Sequence, residues 1–125
     1  MTTHLEIRPS PIQGVGLFTI NPIKRNVRIC DYIGKEMSLK QFKEQYGPYK
    51  NNSLNTYLLK RINKILVAKD CPDNLVNYIN ESINPTCILK KRGLYSLVDI
   101  EPETELTLLY PKNYNRNYIL VNTQL

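Results

Sequence analysis

The sequence predicts a mainly β domain, and three observations support this fold class. Apolar and polar residues alternate in several short runs, turn-forming residues separate these runs, and helical spacing is confined to brief stretches. With 125 residues, the chain can bury one hydrophobic core but not two. We therefore expect one domain over residues 1–125, built from several small sheets with short helices.

The first part of the chain is predicted to hold three strands and one helix. The strands cover residues 4–8, 17–20 and 27–33. Gly34 is expected to end the third strand. Ser38 and Gln41 have the spacing of a capping box, which predicts a short helix over residues 38–46.

The second part is predicted to hold five more strands. They cover residues 56–60, 63–68, 87–91, 94–98 and 105–109. The dipeptide Lys60-Arg61 lies near the turn of the first pair. Arg92-Gly93 separates the two strands of the next pair, which favours a hairpin.

Residues 74–87 combine an apolar rhythm with interleaved asparagines. One interpretation is a short amphipathic turn of helix with Asp73 as its N-cap, ended by Asn84 and the following proline. The other interpretation is that Asn80 points into a site and holds a ligand. A buried amide is costly unless its carbonyl and its nitrogen are both paired, so the sequence alone leaves both interpretations open.

Charge and cysteine content argue against several classes of function. The net charge is +6 and the pI about 9.3, but the lysines are scattered, so we do not expect direct nucleic-acid binding. A small basic nucleic-acid-binding domain remains an alternative that rests on charge alone. The three cysteines form no C-x-x-C pair, which predicts neither a zinc site nor a disulfide framework and favours an intracellular location. We expect no secretory signal and no membrane span.

Four short motifs occur in a characteristic order. They are G-V-G at residues 14–16, Y-I-G at 32–34, N-Y-I-N-E-S-I-N-P-T at 77–86 and E-L-T-L-L-Y at 105–110. This order resembles the SET-domain protein lysine methyltransferases, whose pattern is G-x-G, Y-x-G, R-F-I-N-H-S-x-x-P-N and E-L-x-x-D-Y. The resemblance covers about residues 7–118, with residues 111–125 as a C-terminal tail. The compact form looks most like the small viral SET proteins.

The resemblance implies a fold and a cofactor site. The fold is the SET domain (β-clip) fold, with a C-terminal pseudoknot, and the cofactor is S-adenosyl-L-methionine. The implied cofactor-binding residues are Gly14, Val15, Gly16, Asn80 and Glu81. No metal is implied, because no cysteine follows Cys87 to complete the zinc cluster of larger members.

The resemblance also implies a set of catalytic tyrosines. Tyr110 matches the tyrosine at the methyl-transfer site, and Tyr57 and Tyr114 match the walls of the lysine channel. Tyrosine suits such a channel because its ring tolerates a cation and its hydroxyl gives a fixed hydrogen bond.

The implied function is an S-adenosylmethionine-dependent protein lysine N-methyltransferase. Its partner would be a protein with a target lysine, such as a histone tail, in a host nucleus or on chromatin, and we also allow for a homodimer. The acidic run over residues 99–105 is a candidate patch for a basic peptide, with a solvated turn as its alternative.

Four positions differ from the family pattern. Asn77 stands in place of arginine, Glu81 of histidine, Thr86 of asparagine and Leu109 of aspartate. Asn77, Glu81 and Leu109 favour an alternative function, a catalytically weak or inactive SET-like module that binds a peptide or a partner protein.

Overall fold

The computed structural model describes residues 4–50 and 54–109, which form ten strands and one α-helix. The strands are β1 (Leu5–Pro9), β2 (Val15–Thr19), β3 (Arg28–Asp31), β4 (Lys35–Ser38), β5 (Thr56–Leu59), β6 (Lys64–Val67), β7 (Asn80–Glu81), β8 (Cys87–Lys90), β9 (Gly93–Ser96) and β10 (Thr104–Leu108). The helix α1 covers Leu39–Tyr46, and two short 3₁₀ helices cover Lys60–Ile62 and Leu75–Tyr78. The predictions for Tyr110, Tyr114, the tail and the pseudoknot lie outside the described residues.

The strands form three small sheets. Their orders are β1-β2-β10-β7, β3-β9-β8 and β4-β6-β5. Neighbouring strands run antiparallel except β7 and β10, which are parallel. The prediction of a mainly β domain with several small sheets is confirmed.

The capping box at the start of α1 forms as the sequence predicted. The Ser38 hydroxyl oxygen accepts a hydrogen bond from the Gln41 backbone N–H at 3.1 Å, and the Gln41 side chain accepts one from the Ser38 N–H at 3.0 Å. Each bond satisfies a backbone donor that the first turn of a helix leaves open. The buried Phe42 packs this helix onto a small cluster with β4 and β6.

Both predicted strand pairs form, although the turn of the second pair is Lys91-Arg92 and not the predicted Arg92-Gly93, since Gly93 begins β9. In the first pair, β5 and β6 are antiparallel with Thr56 opposite Val67. In the second, β8 and β9 are joined at Lys91 and Arg92, whose φ angles of 50° and 58° are both positive. Two positive φ values match the turn whose twist fits a two-residue hairpin, here without glycine in the turn itself.

The structure differs from two local predictions. The third strand ends before Gly34 as predicted, but at Asp31, and β4 begins directly after this glycine and pairs with β6. A Cβ on Gly34 would lie 3.1 Å from the Val67 backbone, so this glycine allows a close approach of two chain segments. Asp73 is not an N-cap: the cap of the short 3₁₀ helix is Asn74, which makes no side-chain capping bond.

One hydrophobic cluster joins the three sheets. It contains Leu17 of β2, Leu66 of β6, Leu94 of β9 and Leu106 of β10, all buried. The cluster therefore fixes β10 relative to both of the other sheets, which matters for the site because β10 carries residues 104–108 into it.

Candidate functional site

The loop before β2 is held in shape by Ser10. Its hydroxyl accepts hydrogen bonds from the backbone N–H groups of Ile12 at 3.0 Å and Gln13 at 3.4 Å. The Ser10 N–H in turn donates to the Gly14 carbonyl at 2.8 Å. Gly14 has a φ of +47°, and a Cβ there would meet nothing within 4 Å. The loop thus turns sharply and presents open space at its tip.

Asn80 joins this loop to the middle of the chain. Its side-chain nitrogen donates to the carbonyl oxygens of Gln13 at 3.1 Å and Val15 at 3.0 Å, which precede it by 67 and 65 residues. The residue is 7% exposed. Residues 75–78 form the short helical turn of the first interpretation. Asn80 points inward at the G-V-G loop, but its amide nitrogen binds protein groups, so its role in holding a ligand stays a prediction.

Glu105 completes the arrangement. One of its carboxylate oxygens accepts from the Asn80 amide at 2.8 Å, and both accept from the Ser10 hydroxyl, at 2.7 and 2.9 Å. A Cβ on Gly16 would lie 2.3 Å from the Glu105 carboxylate, so only glycine fits there without a shift. We call Ser10, residues 13–16, Asn80 and Glu105 the junction.

The junction is rich in hydrogen-bond acceptors. The Gln13 side-chain oxygen is buried and has no hydrogen-bond partner among the described residues. The Glu81 side chain, which follows Asn80, is 1% exposed. Two carboxylates and several carbonyl oxygens therefore lie in or beside the junction, a composition that suits a ligand with positive charge.

Strand β10 leads from the junction to a groove. Glu105 lies in the junction, Thr107 pairs with Asn80, and Leu108 pairs with Glu81. Leu108 and Leu109 also line a groove of about 710 Å³. The next residue in the sequence is Tyr110, whose catalytic role stays a prediction because it lies outside the described residues.

Two sheets form the walls of the groove. Its lining includes Tyr57 and Leu58 of β5, and Ile88 and Leu89 of β8. Both β5 and β8 stand at the end of their sheets in the described part of the chain. The lining is mainly apolar, which lowers the stability of a charged group placed inside it.

Tyr57 lies in the groove wall, where the resemblance placed a lysine-channel residue. Its hydroxyl accepts a hydrogen bond from the Arg92 N–H at 3.1 Å, which ties β5 to the β8–β9 turn. Its ring packs on Tyr32 with centroids 5.2 Å apart. The catalytic role of Tyr57 stays a prediction.

Sequence reasoning missed the structural roles of Tyr32, Ser10, Gln13 and Glu105. Tyr32 is buried, its hydroxyl donates to the Leu54 carbonyl, and burial raises the pKa of its phenol. Two of these residues belong to recognised motifs, Tyr32 to Y-I-G and Glu105 to E-L-T-L-L-Y. Their positions in these motifs could have indicated a structural role. Ser10 and Gln13 gave no such signal.

Two departures from the family pattern have structural explanations. The Asn77 amide donates to the Ala68 carbonyl at 2.9 Å and accepts from the Asn74 side chain at 3.1 Å. Thr86 exchanges two bonds with Thr107: each backbone N–H donates to the other hydroxyl, at 3.1 and 3.0 Å. Both residues therefore support the local fold. Leu109 is 56% exposed.

The acidic run over residues 99–105 is partly bound to other groups of the chain, and its role as a peptide-binding patch stays a prediction. Asp99 accepts from the Arg25 backbone N–H at 2.9 Å, and Glu103 pairs with Arg8 at 2.6 Å. Glu105 is turned into the junction. Three of its acids thus bind groups of the chain itself, and none of the run is among the lining residues of the groove.

The described residues contain neither a metal-binding cluster nor a membrane-spanning helix. No group of histidine, cysteine and acidic side chains there is suited to hold a metal ion. No helix in that part of the chain is long and apolar enough to cross a membrane.

The chain is similar in sequence to two curated proteins. It is 26% identical over 131 aligned residues to the Variant-silencing SET domain-containing protein of Plasmodium falciparum, which covers 94% of this chain and 5% of that protein. It is 28% identical over 79 residues to the Histone-lysine N-methyltransferase trr of Drosophila melanogaster, covering 63% of this chain and 3% of that protein. The chain therefore spans only a small fraction of both relatives.

Solved structures show the same fold. The crystal structure of the Chaetomium thermophilum polycomb repressive complex 2 matches with a TM-score of 0.71 and 18% identity, over 92% of this chain and 16% of that one. The same complex in an autoinhibited conformation bound to S-adenosylmethionine matches with a TM-score of 0.68 and 20% identity, over 92% and 16% of the two chains. The expected SET fold is thus confirmed for the described residues.

The family assignment rests on a match that covers most of the chain. The model of the SET domain family matches residues 14–111, from the first glycine of the G-V-G loop to just beyond the E-L-T-L-L-Y motif. Together with the shared fold, this match shows that the chain belongs to the SET domain family.

Proposed function

We propose that this chain is an S-adenosylmethionine-dependent protein lysine N-methyltransferase. The observation that supports it most is the contact of the Asn80 amide with the Gln13 and Val15 carbonyls. It brings two of the family's motifs, far apart in the sequence, into one buried site. β10 then connects that site to a groove large enough for a side chain and its flanking backbone.

The junction is chemically suited to the proposed cofactor. S-adenosylmethionine supplies an activated methyl group on a positively charged sulfur, beside an ammonium group. The buried Gln13 side-chain oxygen, which has no hydrogen-bond partner in the described part of the chain, can accept a hydrogen bond from that ammonium group. Gly14 leaves open space for a ligand, and the carboxylates of Glu81 and Glu105 offset positive charge. Val15 and Gly16 would contribute their backbone.

The groove is suited to deliver a neutral lysine amine. A lysine in water has a pKa of ~10.4 and is almost entirely protonated at neutral pH. Apolar walls disfavour the charged form and lower that pKa. Tyr57 provides an aromatic wall, and we assign Tyr110 to orienting the amine and Tyr114 to a second wall. No strong base or metal is needed, because positioning and exclusion of water supply the catalysis.

The test measures cofactor binding and methyl transfer separately. Calorimetry with S-adenosylmethionine should show binding, and the chain should transfer label from methyl-labelled cofactor to lysine in a histone mixture. Histones come first because one relative is named a histone-lysine N-methyltransferase. The Tyr110→Phe variant should bind cofactor as before and lose methylation by about a hundredfold or more, as when one positioned donor is removed from an active site.

Two results would contradict this proposal. A chain that binds no cofactor at millimolar concentration would favour a peptide-binding module, for which the buried Glu81 in place of histidine is the supporting observation. An unchanged rate in Tyr110→Phe would remove the role given to Tyr110. The likeness to small viral members, the nuclear or chromatin location and the homodimer stay predictions.

A further inference from the structure

The groove combines apolar walls with a single type of charge. Its apolar lining includes Leu54, Leu58, Ile88, Leu89 and Leu109. Lys60 is the one charged residue among the lining residues that the structure describes. It is exposed and makes no ion pair within the described part of the chain.

The segments outside the described residues contain no aspartate or glutamate. Residues 51–53 are Asn-Asn-Ser, and residues 110–125 include Lys112 and Arg116 but no aspartate or glutamate. The described lining residues therefore include no acidic side chain that could pair with a basic peptide.

One acid in a neighbouring element is already paired. Glu36 of β4 accepts from Lys64 at 3.2 Å and from Arg92 at 2.8 Å, so it offsets the charge of the β8–β9 turn. The same pairing leaves Lys60 as the cation available at the groove. Lys90, at the end of the β8 wall, lies over the Tyr95 ring at 4.8 Å and adds positive potential on that side.

From these observations we propose that the groove binds a lysine whose neighbours are apolar and acidic, rather than a lysine within a run of lysines and arginines. The apolar neighbours would pack on the leucine and isoleucine walls, and an acidic neighbour would pair with Lys60. This inference rests on the proposed function and narrows its substrate. Among the lysines of a histone mixture or of any other protein, it favours those outside strongly basic runs.

The experiment compares two peptides of equal length with one central lysine. One carries leucine and glutamate beside the lysine, and the other carries arginine at the same positions. Binding of fluorescein-labelled versions is measured by anisotropy with the full chain, and methylation of unlabelled versions is measured with labelled S-adenosylmethionine. The acidic peptide should bind and react roughly threefold or more better, the scale of a few exposed charge contacts, and added salt should reduce the difference.

A charge reversal locates the effect. Lys60→Glu should remove the preference or invert it. Lys40→Glu, on the exposed side of α1 and away from the groove lining, makes the same change in net charge and should leave the preference intact. Thermal melting should be similar for both variants, because each side chain is exposed and makes no ion pair among the described residues.

The outcomes separate this inference from the proposed function. If the arginine peptide binds as well as the acidic one or better, or if Lys40→Glu acts like Lys60→Glu, the inference is wrong while methyl transfer can still stand. If the acidic peptide binds preferentially but neither peptide nor any protein is methylated, the proposed function fails and the binding preference stands. No binding of either peptide overturns the inference.

Discussion

The junction and the groove are built in opposite ways. The junction consists of polar groups whose hydrogen bonds are short and converge, with Asn80, Ser10 and Glu105 each bound to another member. The groove consists of apolar side chains from the edges of two sheets, with one tyrosine hydroxyl bridging them. The first region is specified by particular atoms, and the second by the shape and spacing of the sheets.

This difference has a physical consequence for how each region tolerates change. A buried polar group that loses its partner costs about 1–3 kcal/mol, so a single atom matters in the junction. An apolar wall loses little stability when one exposed side chain changes, because each contact is weak and the sheets keep their spacing. Mutations should therefore act sharply at the junction and gradually in the groove.

Asn80→Asp should give the largest effect. The change removes the amide hydrogens that bind the Gln13 and Val15 carbonyls and places a carboxylate 2.8 Å from that of Glu105. We expect a loss of roughly 3 kcal/mol at the site, equivalent to about a hundredfold weaker S-adenosylmethionine binding, measured by calorimetry. A lower melting temperature should accompany it.

The controls for this variant separate charge from lost hydrogen bonds. Asn84→Asp makes the same chemical change at an exposed residue of the same stretch and should alter neither measurement. Adding Glu105→Gln to Asn80→Asp restores a donor and removes the repulsion, so part of the binding should return. Unchanged binding in Asn80→Asp alone would mean that the junction does not support the cofactor site.

The same contrast explains how much the sequence could predict. Asn80 and the G-V-G loop were predictable as members of one site, because their motifs occur in a known order and their chemistry requires partners. Glu105 also lies in a motif, but the alternation of polar and apolar residues around it predicts only a strand. Its position over Gly16 depends on the register of β10 against β2, with Glu105 opposite Phe18, and register is a tertiary property.

The groove was harder to predict. The sequence predicted the individual strands of the β8–β9 hairpin and of the β5–β6 pair. That β5 and β8 would face one another across a cavity depends on how three sheets meet at one core, which periodicity does not describe. The parallel pairing of β7 with β10 is similarly non-local, and β7 has only two residues to signal it.

Tyr57→Phe should give a smaller effect and test the groove. It removes the hydroxyl that accepts from the Arg92 N–H at 3.1 Å but keeps the ring contact with Tyr32. We expect about 1 kcal/mol less stability in urea denaturation and unchanged cofactor affinity, since the junction is not touched. The control is Tyr95→Phe, which removes a hydroxyl of β9 that accepts a hydrogen bond from Arg28 of β3. This variant should leave methyl transfer unchanged. Weaker cofactor binding in Tyr57→Phe would show that the two regions are not separate.

The smallest effect is expected from the thiol of Cys87, which lies in the apolar wall. Burial raises its pKa from 9.0 to about 11, so the folded chain keeps a neutral thiol at pH values where the unfolded chain ionises it. A raised pKa contributes stability that is complete below pH 9.0 and is lost as pH rises towards about 11. Wild type should therefore lose more stability across this window than Cys87→Ala, measured by urea denaturation, although the variant is less stable at neutral pH. Parallel pH profiles would mean that the wall admits water and does not hold the thiol neutral.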